Sequence, residues 1–187
     1  MFFYLCTILK TKIMTPQEFT NFIRQEADGC PILIIMMGIP ASGKSTFVTR
    51  HLQDFSRINL DNLRTRERED AMLHALFLSE EDIVVDNTNV SPEEREKYFQ
   101  LADQNGYMTV GIFMESILSD CLKRNAQREG DARIPDFGVE ARAKDLTPPT
   151  VEEPFDFLFY AKMKDGDFEV NAECEMRNAK CEMRNKN

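Results

Sequence analysis

Apolar and polar residues alternate along this chain in blocks that predict strands separated by helices. Continuous apolar runs at Ile32–Met37 and Ile83–Val85 are typical of strands that are buried on both faces of a parallel sheet. Capping boxes at residues 15–18 and 91–94 mark two helix starts. The pattern further predicts helices at 45–53, 64–78, 119–129 and 139–144, and strands at 57–59, 107–114, 155–163 and 168–170.

This order of elements predicts the α/β class, with a mainly parallel sheet flanked by helices. A chain of 187 residues suits one domain with a sizeable core, which we place at residues 14–170. Residues 1–13 are interpreted as an N-terminal extension, of the kind that a translation artefact upstream of a start at Met14 would leave. Residues 171–187 contain a near-duplicated polar heptad and are predicted to be disordered or a frayed helix.

The composition is that of an ordinary soluble protein, with a net charge of −9 from 23 basic and 32 acidic residues. An acidic balance disfavours a long nucleic-acid groove, so any such contact should be short and locally basic. The five cysteines are odd in number and lack a C-x-x-C pair, which argues against a disulfide framework and fits a reducing cytoplasm. The apolar start is too short to cross a bilayer, and its lysines follow the apolar run, unlike those of a signal peptide.

A glycine-rich motif follows the first buried strand. Residues 38–45, GIPASGKS, fit the phosphate-binding loop G-x-x-x-x-G-K-[ST]. Because the backbone N–H groups of such a loop surround an anion, and the next helix offers its positive end, we expect nucleotide phosphates here. Lys44 would reach the β- and γ-phosphates, and the Ser45 hydroxyl would bind Mg²⁺. The predicted nucleotide-binding residues of this loop are Gly38, Ile39, Pro40, Ala41, Ser42, Gly43, Lys44, Ser45 and Thr46.

Two aspartates follow predicted strands and should lie at the same sheet edge as this loop. Asp61 can orient and deprotonate an attacking hydroxyl. Arg64, one helical turn later, can hold an anionic group of the acceptor. Asp86 is expected near Mg²⁺ as a Walker B carboxylate. The alternatives are an N-cap aspartate with a surface arginine for the first pair, and a turn or cap aspartate for Asp86.

Two arginines suggest a lid. Arg124 and Arg128 are four residues apart on a predicted helix and therefore share one face. Beside a loop that contains Gly130, they predict a lid that closes arginines onto the transferred phosphate. The alternative is a solvated basic helix face.

Taken together, the chain resembles the polynucleotide-kinase-like branch of P-loop kinases, typified by phage polynucleotide 5′-hydroxyl kinases. The resemblance covers about residues 14–160. It rests on five stretches in the family's order: GIPASGKST (38–46), LDNLR (60–64), VDNTNVSPEER (85–95), CLKRNAQRE (121–129) and PPT (148–150).

The resemblance implies ATP and Mg²⁺ as cofactors and a role for each matching residue. Asp61 would be the general base that activates the 5′-hydroxyl, and Arg64 would bind the acceptor's phosphate. Lys44 and Arg128 would stabilise the transition state, and Arg124 would join Arg128 in the lid over ATP. The acceptor cleft would be lined by Asp86, Thr88 and Asn89.

Three features depart from the family pattern. Ala41 stands where the family usually has glycine, which implies a slightly strained loop. The segment from Arg64 to Ile83, which often carries acceptor contacts, is short. No phosphatase or ligase module accompanies the kinase stretches, so the resemblance implies a separate ligase or phosphatase as partner.

The sequence thus predicts a kinase for the 5′-hydroxyl of RNA or DNA. A small-molecule kinase on the same scaffold is one alternative, favoured by the acidic balance and the short acceptor segment. A nucleotide-binding module without transferase activity is another. A GTPase switch is disfavoured because no N-K-x-D motif is present. Oligomeric state has no sequence signal.

Overall fold

The six predicted strands and an additional strand at Ile13–Met14 assemble into one seven-stranded sheet in the computed structural model, which describes residues 13–172. The strands are β1 (Ile13–Met14), β2 (Ile32–Met37), β3 (Ser56–Ile58), β4 (Ile83–Val85), β5 (Met108–Met114), β6 (Phe157–Lys164) and β7 (Asp167–Ala172). Their order across the sheet is β1-β7-β6-β5-β2-β4-β3. Neighbours from β6 to β3 are parallel, whereas β7 and β1 are added antiparallel at the β6 edge. The predicted α/β class with a mainly parallel sheet is confirmed.

The helices connect the parallel strands and cover both faces of the sheet. They are α1 (Pro16–Ala27), α2 (Lys44–His51), α3 (Leu60–Leu63), α4 (Arg66–Leu78), α5 (Pro92–Asn105), α6 (Leu118–Ala126) and α7 (Asp136–Lys144), with a short 3₁₀ turn at Gly130–Ala132. The predicted capping box at residues 15–18 is confirmed, whereas at residues 91–94 Ser91 caps the helix but the Glu94 side chain accepts from the Val90 amide. Thr15 accepts from the Glu18 amide at the start of α1, and Ser91 accepts from the Glu94 amide at the start of α5.

Strand β2 lies at the centre of the five parallel strands, where all six of its apolar side chains are buried. It pairs with β5 on one side and β4 on the other, so that Leu33 faces both Thr109 and Ile83. One core packs α1 and α2 against the sheet through residues such as Phe19 and Phe47. A second core on the opposite face includes residues from α4 and α5, and a third small cluster lies beneath the loop that follows β2. The loop after β2 is therefore held by packing from several sides.

The predicted helix at 64–78 is wrong at its start. The chain forms the short helix α3, reverses at Arg64 with a φ of 71°, and begins α4 at Arg66. Thr65 caps α4 by accepting from the Arg68 amide, which explains why the helix cannot begin earlier. Asp61 and Arg64 therefore do not share a face of one continuous helix.

The sheet extends slightly beyond the predicted domain limits of 14 and 170. Ile13 pairs with Asn171 in the antiparallel edge, and Ala172 pairs with Phe159. The predicted hairpin at Phe168–Val170 is confirmed as part of β7. The rest of the predicted extension and the duplicated tail, residues 1–12 and 173–187, lie outside the described residues.

Cys121 is a free and fully buried thiol. Within residues 13–172, no helix has both the length and the apolar content that crossing a membrane would require.

Candidate active site

Loops at the carboxyl ends of β2, β3 and β4 enclose a cleft of about 160 Å³. This edge is where ligands bind in open parallel sheets, because consecutive loops there diverge and leave a crevice. The lining residues come from four parts of the chain: Pro40, Ala41, Gly43, Lys44 and Ser45; Asn59, Leu60, Asp61 and Arg66; Asp86, Asn87, Thr88, Asn89 and Glu94; and Arg128 and Ile134. The phosphate loop and the predicted base Asp61 therefore share one cleft.

Two glycines give the phosphate loop its shape. Gly38 has a φ of 135°, and a Cβ built on it would lie 2.8 Å from Ser116 Oγ and 3.1 Å from the Met114 carbonyl oxygen. Gly43 has a φ of 110° and directly precedes α2. Side chains at these positions would be strained or would clash, so the motif glycines are needed for backbone reasons. The N–H groups of the first turn of α2 have no helical carbonyl partner and can bind an anion.

Ala41 adopts the left-handed conformation that glycine would adopt more easily, with a φ of 62°. This geometry fits the strain expected at Ala41 and costs on the order of 1 kcal/mol for an L-residue. The loop is held in it from behind, since Arg124 Nε donates to the Ala41 carbonyl oxygen at 2.7 Å. Arg124 also contacts Cys121 Sγ at 3.2 Å. Arg124 is therefore placed against the outside of the loop and does not line the cleft.

Lys44 is buried at the centre of the loop, with 7% of its surface exposed. Its Nζ donates to the carbonyl oxygens of Gly38 at 2.8 Å and Ile39 at 2.9 Å. Burial disfavours the ammonium form and lowers the pKa of Lys44 to about 8, although the negative charge of Asp86 acts in the opposite direction. The Lys44 side chain therefore titrates close to physiological pH.

This pKa leads to a testable pH dependence of nucleotide binding. Bound phosphates favour the ammonium form and raise the pKa of Lys44, so the affinity they gain is complete below pH 8. Above pH 8 the free protein must first bind a proton. We expect the Kd for magnesium-ATP to rise by up to about tenfold per pH unit from pH 8 to 9.5, as measured by calorimetry.

Lys44→Arg is the matched control for this experiment because a guanidinium stays protonated throughout that range. Its Kd should change little from pH 8 to 9.5, whatever its absolute value. A wild-type Kd that is equally flat would contradict the role of Lys44 as the titrating phosphate ligand.

Asp86 is buried at the end of β4 and carries an oxygen that is open to a cation. Its Oδ2 accepts from Arg57 Nε at 2.9 Å and from the adjacent terminal nitrogen of Arg57. Its Oδ1 is buried without a hydrogen-bond partner among the described residues. Since buried polar atoms are rarely left unsatisfied, this oxygen, in the cleft that Ser45 also lines, fits a divalent cation.

Residues 13–172 contain no group of three or more His, Cys, Asp and Glu side chains that could hold a metal ion alone. This is compatible with Mg²⁺, which proteins usually bind through one or two side chains while phosphates and water complete its octahedral shell. Asp86 and Ser45 are the residues that would hold it. When bound, the ion neutralises phosphate charge as it develops.

Asp61 lies in the short helix α3 and lines the cleft. The second arginine of this region, Arg66, lines the cleft as well, whereas Arg64 is exposed on the left-handed turn and does not. Arg66 NH1 donates to Glu69 Oε2 at 2.7 Å, which fixes the guanidinium beside the cleft. Of these two arginines, Arg66 is therefore the one that lines the cleft with Asp61.

The segment after β4 is fastened on two sides. Thr88 accepts from the Gly38 amide at 2.9 Å through its carbonyl, and its hydroxyl accepts from Arg142 at 2.6 Å. Asn89, with a φ of 44°, donates from Nδ2 to the Met36 carbonyl at 2.7 Å. Arg142, on α7, also pairs with Glu94 at 2.7 Å. Helix α7 is therefore tied to the wall of the cleft.

Arg128 lines the same cleft as Asp61 but is not on a helix. Helix α6 ends at Ala126, two residues before it, so the predicted shared helical face with Arg124 is wrong. The turn is made by Asn125, whose fully buried amide bonds both the carbonyl and the N–H of Ile134, at 2.6 and 3.2 Å. This clamp folds the segment that carries Arg128 back over the phosphate loop.

Most predicted site residues meet in the cleft. Those that the structure brings together are Pro40, Ala41, Gly43, Lys44, Ser45, Asp61, Asp86, Thr88, Asn89 and Arg128, and those that do not line it are Gly38, Ile39, Ser42, Thr46, Arg64 and Arg124. Sequence reasoning missed Arg66, Asn59, Asn87 and Glu94 as cleft residues, and Arg57 and Asn125 as their supports. Asn87 belongs to the D-N-T-N stretch, so a sequence signal for it existed. The hydrophobic periodicity gives no reason to prefer Arg66 over Arg64 as a cleft residue.

The fold and the cleft together define a P-loop kinase. Comparison with known families agrees: residues 33–78 and 66–148 match an AAA domain family (AAA_33), which covers more than half of the chain. The chain belongs to this family. Kti12 of Chaetomium thermophilum, solved in complex with ADP-AlF3, has a similar fold, with a TM-score of 0.52 and 16% identity over 71% of this chain and 90% of that one.

Curated proteins that are similar in sequence include a polynucleotide phosphatase/kinase and a phosphofructokinase-type bifunctional enzyme. The bifunctional polynucleotide phosphatase/kinase of Schizosaccharomyces pombe is 28% identical over 145 residues, which cover 75% of this chain and 34% of that protein. 6-Phosphofructo-2-kinase/fructose-2,6-bisphosphatase 4 of Rattus norvegicus is 33% identical over 129 residues, which cover 49% of this chain and 26% of that protein. The chain thus spans about a third of the length of the first relative and a quarter of the second.

Proposed function

We propose that this protein is an ATP- and Mg²⁺-dependent kinase that transfers the γ-phosphate to the 5′-hydroxyl of RNA or DNA. The observation that supports it best is the presence of Asp61 and the phosphate loop in one cleft. A phosphoryl-transfer enzyme needs an anion cradle, a metal site, a proton acceptor and cations over the developing charge. Candidates for all four are within this cleft.

In the proposed reaction, the Asp61 carboxylate accepts the proton of the acceptor hydroxyl as its oxygen bonds to the γ-phosphorus. The bond from that phosphorus to the β-γ bridging oxygen breaks, and ADP leaves. Lys44 and Arg128 stabilise the charge on the transferred phosphoryl group, and Arg66 binds an anionic group of the acceptor. Ser45 and Asp86 hold the metal.

A small-molecule kinase is the second candidate, and specific observations favour it. The protein carries a net charge of −9, which does not suit a long nucleic-acid strand. The rat relative is named a 6-phosphofructo-2-kinase, whereas the yeast relative is named a polynucleotide phosphatase/kinase. Both readings require an acceptor hydroxyl beside Asp61.

Transfer of labelled γ-phosphate from ATP to a panel of acceptors tests the proposal. The panel holds 5′-hydroxyl RNA, 5′-hydroxyl DNA, nucleoside 3′-phosphates, nucleosides and phosphorylated sugars, with Lys44→Ala as the inactive control. We expect label on the oligonucleotides, reduced by at least about 10³-fold in the control. Label on small molecules alone would show that the acceptor is a small molecule and that the proposed nucleic-acid acceptor is wrong. ATP binding without transfer to any acceptor would favour a nucleotide-binding module.

A cytoplasmic location is proposed from the odd cysteine count and the absence of a C-x-x-C pair in the sequence. A separate ligase or phosphatase would complete any repair reaction, in line with the bifunctional name of the yeast relative.

A further inference from the structure

A buried carboxylate behind the cleft is used by none of the steps above. Glu69, on α4, has no exposed surface, yet it accepts hydrogen bonds from four side chains. Arg66 NH1 lies at 2.7 Å, Asn87 Nδ2 at 2.7 Å and the Tyr98 hydroxyl at 2.8 Å, and the Lys97 ammonium is also in contact. Burial opposes the charge, but these donors prevail and hold the pKa of Glu69 below its usual range.

Asn87 extends this network to the helix that carries Asp61. Its Oδ1 accepts from the Leu60 backbone amide at 2.8 Å, while its Nδ2 donates to Glu69. The amide therefore has one orientation, because the Leu60 N–H can only donate a hydrogen bond and the Glu69 carboxylate can only accept one. Leu60 is the first residue of α3, and Asp61 is the next.

The same carboxylate thus holds the two acceptor-side groups of the cleft. Through Asn87 it fixes the start of α3, a helix of only four residues that cannot be stable alone. Through a direct ion pair it fixes Arg66, whose side chain is otherwise half exposed. We propose that Glu69 and Asn87 are positioning residues. Together they hold Asp61 and Arg66 at the relative positions that the acceptor requires. This inference rests on the proposed kinase function only for its kinetic consequence.

Glu69→Gln tests this idea best because Glu69 is buried and lies outside the cleft lining. The neutral amide cannot accept from all four donors, so α3 and Arg66 should shift while the phosphate loop is undisturbed. Misplacement of about 1 Å can cost on the order of 100-fold. We expect kcat to fall about 10- to 100-fold and the acceptor KM to rise, with the Kd for ATP changed less than twofold.

Two comparisons separate positioning from a general loss of stability. Asp156→Asn changes another buried carboxylate, which accepts from Thr109 at 2.7 Å on a different part of the sheet; it should lower stability but leave kcat and the acceptor KM unchanged. The double variant Glu69→Gln with Asn87→Ala should lose no more than the worse single variant, because both break one network. Fully additive losses, or unchanged kinetics in Glu69→Gln, would overturn the proposal.

Amide hydrogen exchange at Leu60 gives a readout that needs no acceptor. This N–H is protected by Asn87 Oδ1, and we expect it to exchange at least about tenfold faster in Glu69→Gln and in Asn87→Ala. In Asp156→Asn it should exchange at the wild-type rate once the change in global stability is subtracted. Unchanged exchange in both test variants would reject the network itself. A wild type without transferase activity would reject only the proposed function.

Discussion

Replacing Asp61 with asparagine should reduce kcat by about 10²- to 10⁴-fold, the usual contribution of a positioned general base. Asparagine has nearly the same shape as aspartate but cannot accept the proton of the attacking hydroxyl. Asp61 lies in the cleft but makes no part of the phosphate loop. The Kd for ATP should therefore stay within about twofold of wild type, measured by calorimetry beside steady-state transfer kinetics.

Asn62→Ala is a suitable control for Asp61→Asn because it alters the neighbouring exposed side chain of the same short helix. The Asn62 backbone amide donates the cap hydrogen bond to Asn59 Oδ1, and the substitution keeps this amide. Its kcat should stay close to wild type. If Asp61→Asn retained full activity, the proton would have to leave by another route, and the assignment of Asp61 as base would be wrong.

Local sequence signals were sufficient for the sheet and the nucleotide half of the site. The apolar run of β2 and the eight-residue loop motif act over short distances, and their geometry depends on glycines at two positions with positive φ. Once β2 is placed between β4 and β5, the loops after them must meet at one edge. This is why Lys44 and Asp61 could be predicted to share a cleft.

The acceptor half was predicted less well because its geometry depends on contacts between distant residues. The burial of Glu69 is made possible by Asn87, Lys97 and Tyr98, which are 18 to 29 residues away. A Glu in a densely charged segment has the sequence pattern of a solvated helix face. The turn at Arg64 likewise depends on the Thr65 cap of the next helix, which the charge pattern of the segment concealed.

The position of Arg124, on the nucleotide side of the site, also depends on contacts that the sequence pattern does not reveal. Arg124 and Arg128 are four residues apart, and this spacing predicted that they share one helical face. They do not, because α6 ends between them. Arg124 supports the strained Ala41 by a hydrogen bond to its carbonyl oxygen. Any contribution of Arg124 to catalysis would therefore be indirect, by stabilising the conformation of the phosphate loop. Arg128 reaches the cleft only because the buried Asn125 amide turns the chain back. Burial of a polar side chain such as Asn125 leaves no trace in periodicity.

The resemblance and the structure point to different acceptor arginines: the resemblance implies Arg64, whereas Arg66 lines the cleft. Arg66→Ala should raise the KM for a phosphate-bearing acceptor by about 10- to 100-fold, since a charge-assisted hydrogen bond contributes roughly 1.5–3 kcal/mol. Arg64→Ala, the matched control two residues earlier, should change it by less than about threefold, because Arg64 is exposed and does not line the cleft. The resemblance alone implies the reverse ranking.

The comparison is sharpest with a pair of acceptors that differ by one anion, a nucleoside 3′-phosphate and the same nucleoside. Loss of Arg66 should penalise the phosphorylated acceptor and leave the nucleoside nearly unaffected, because only the former has an anion for the guanidinium to bind. Equal penalties for the two acceptors would make Arg66 a general support of the cleft wall. A larger effect of Arg64→Ala than of Arg66→Ala would mean that the turn at Arg64 rearranges when the acceptor binds, and that the resemblance assigns the acceptor arginine correctly.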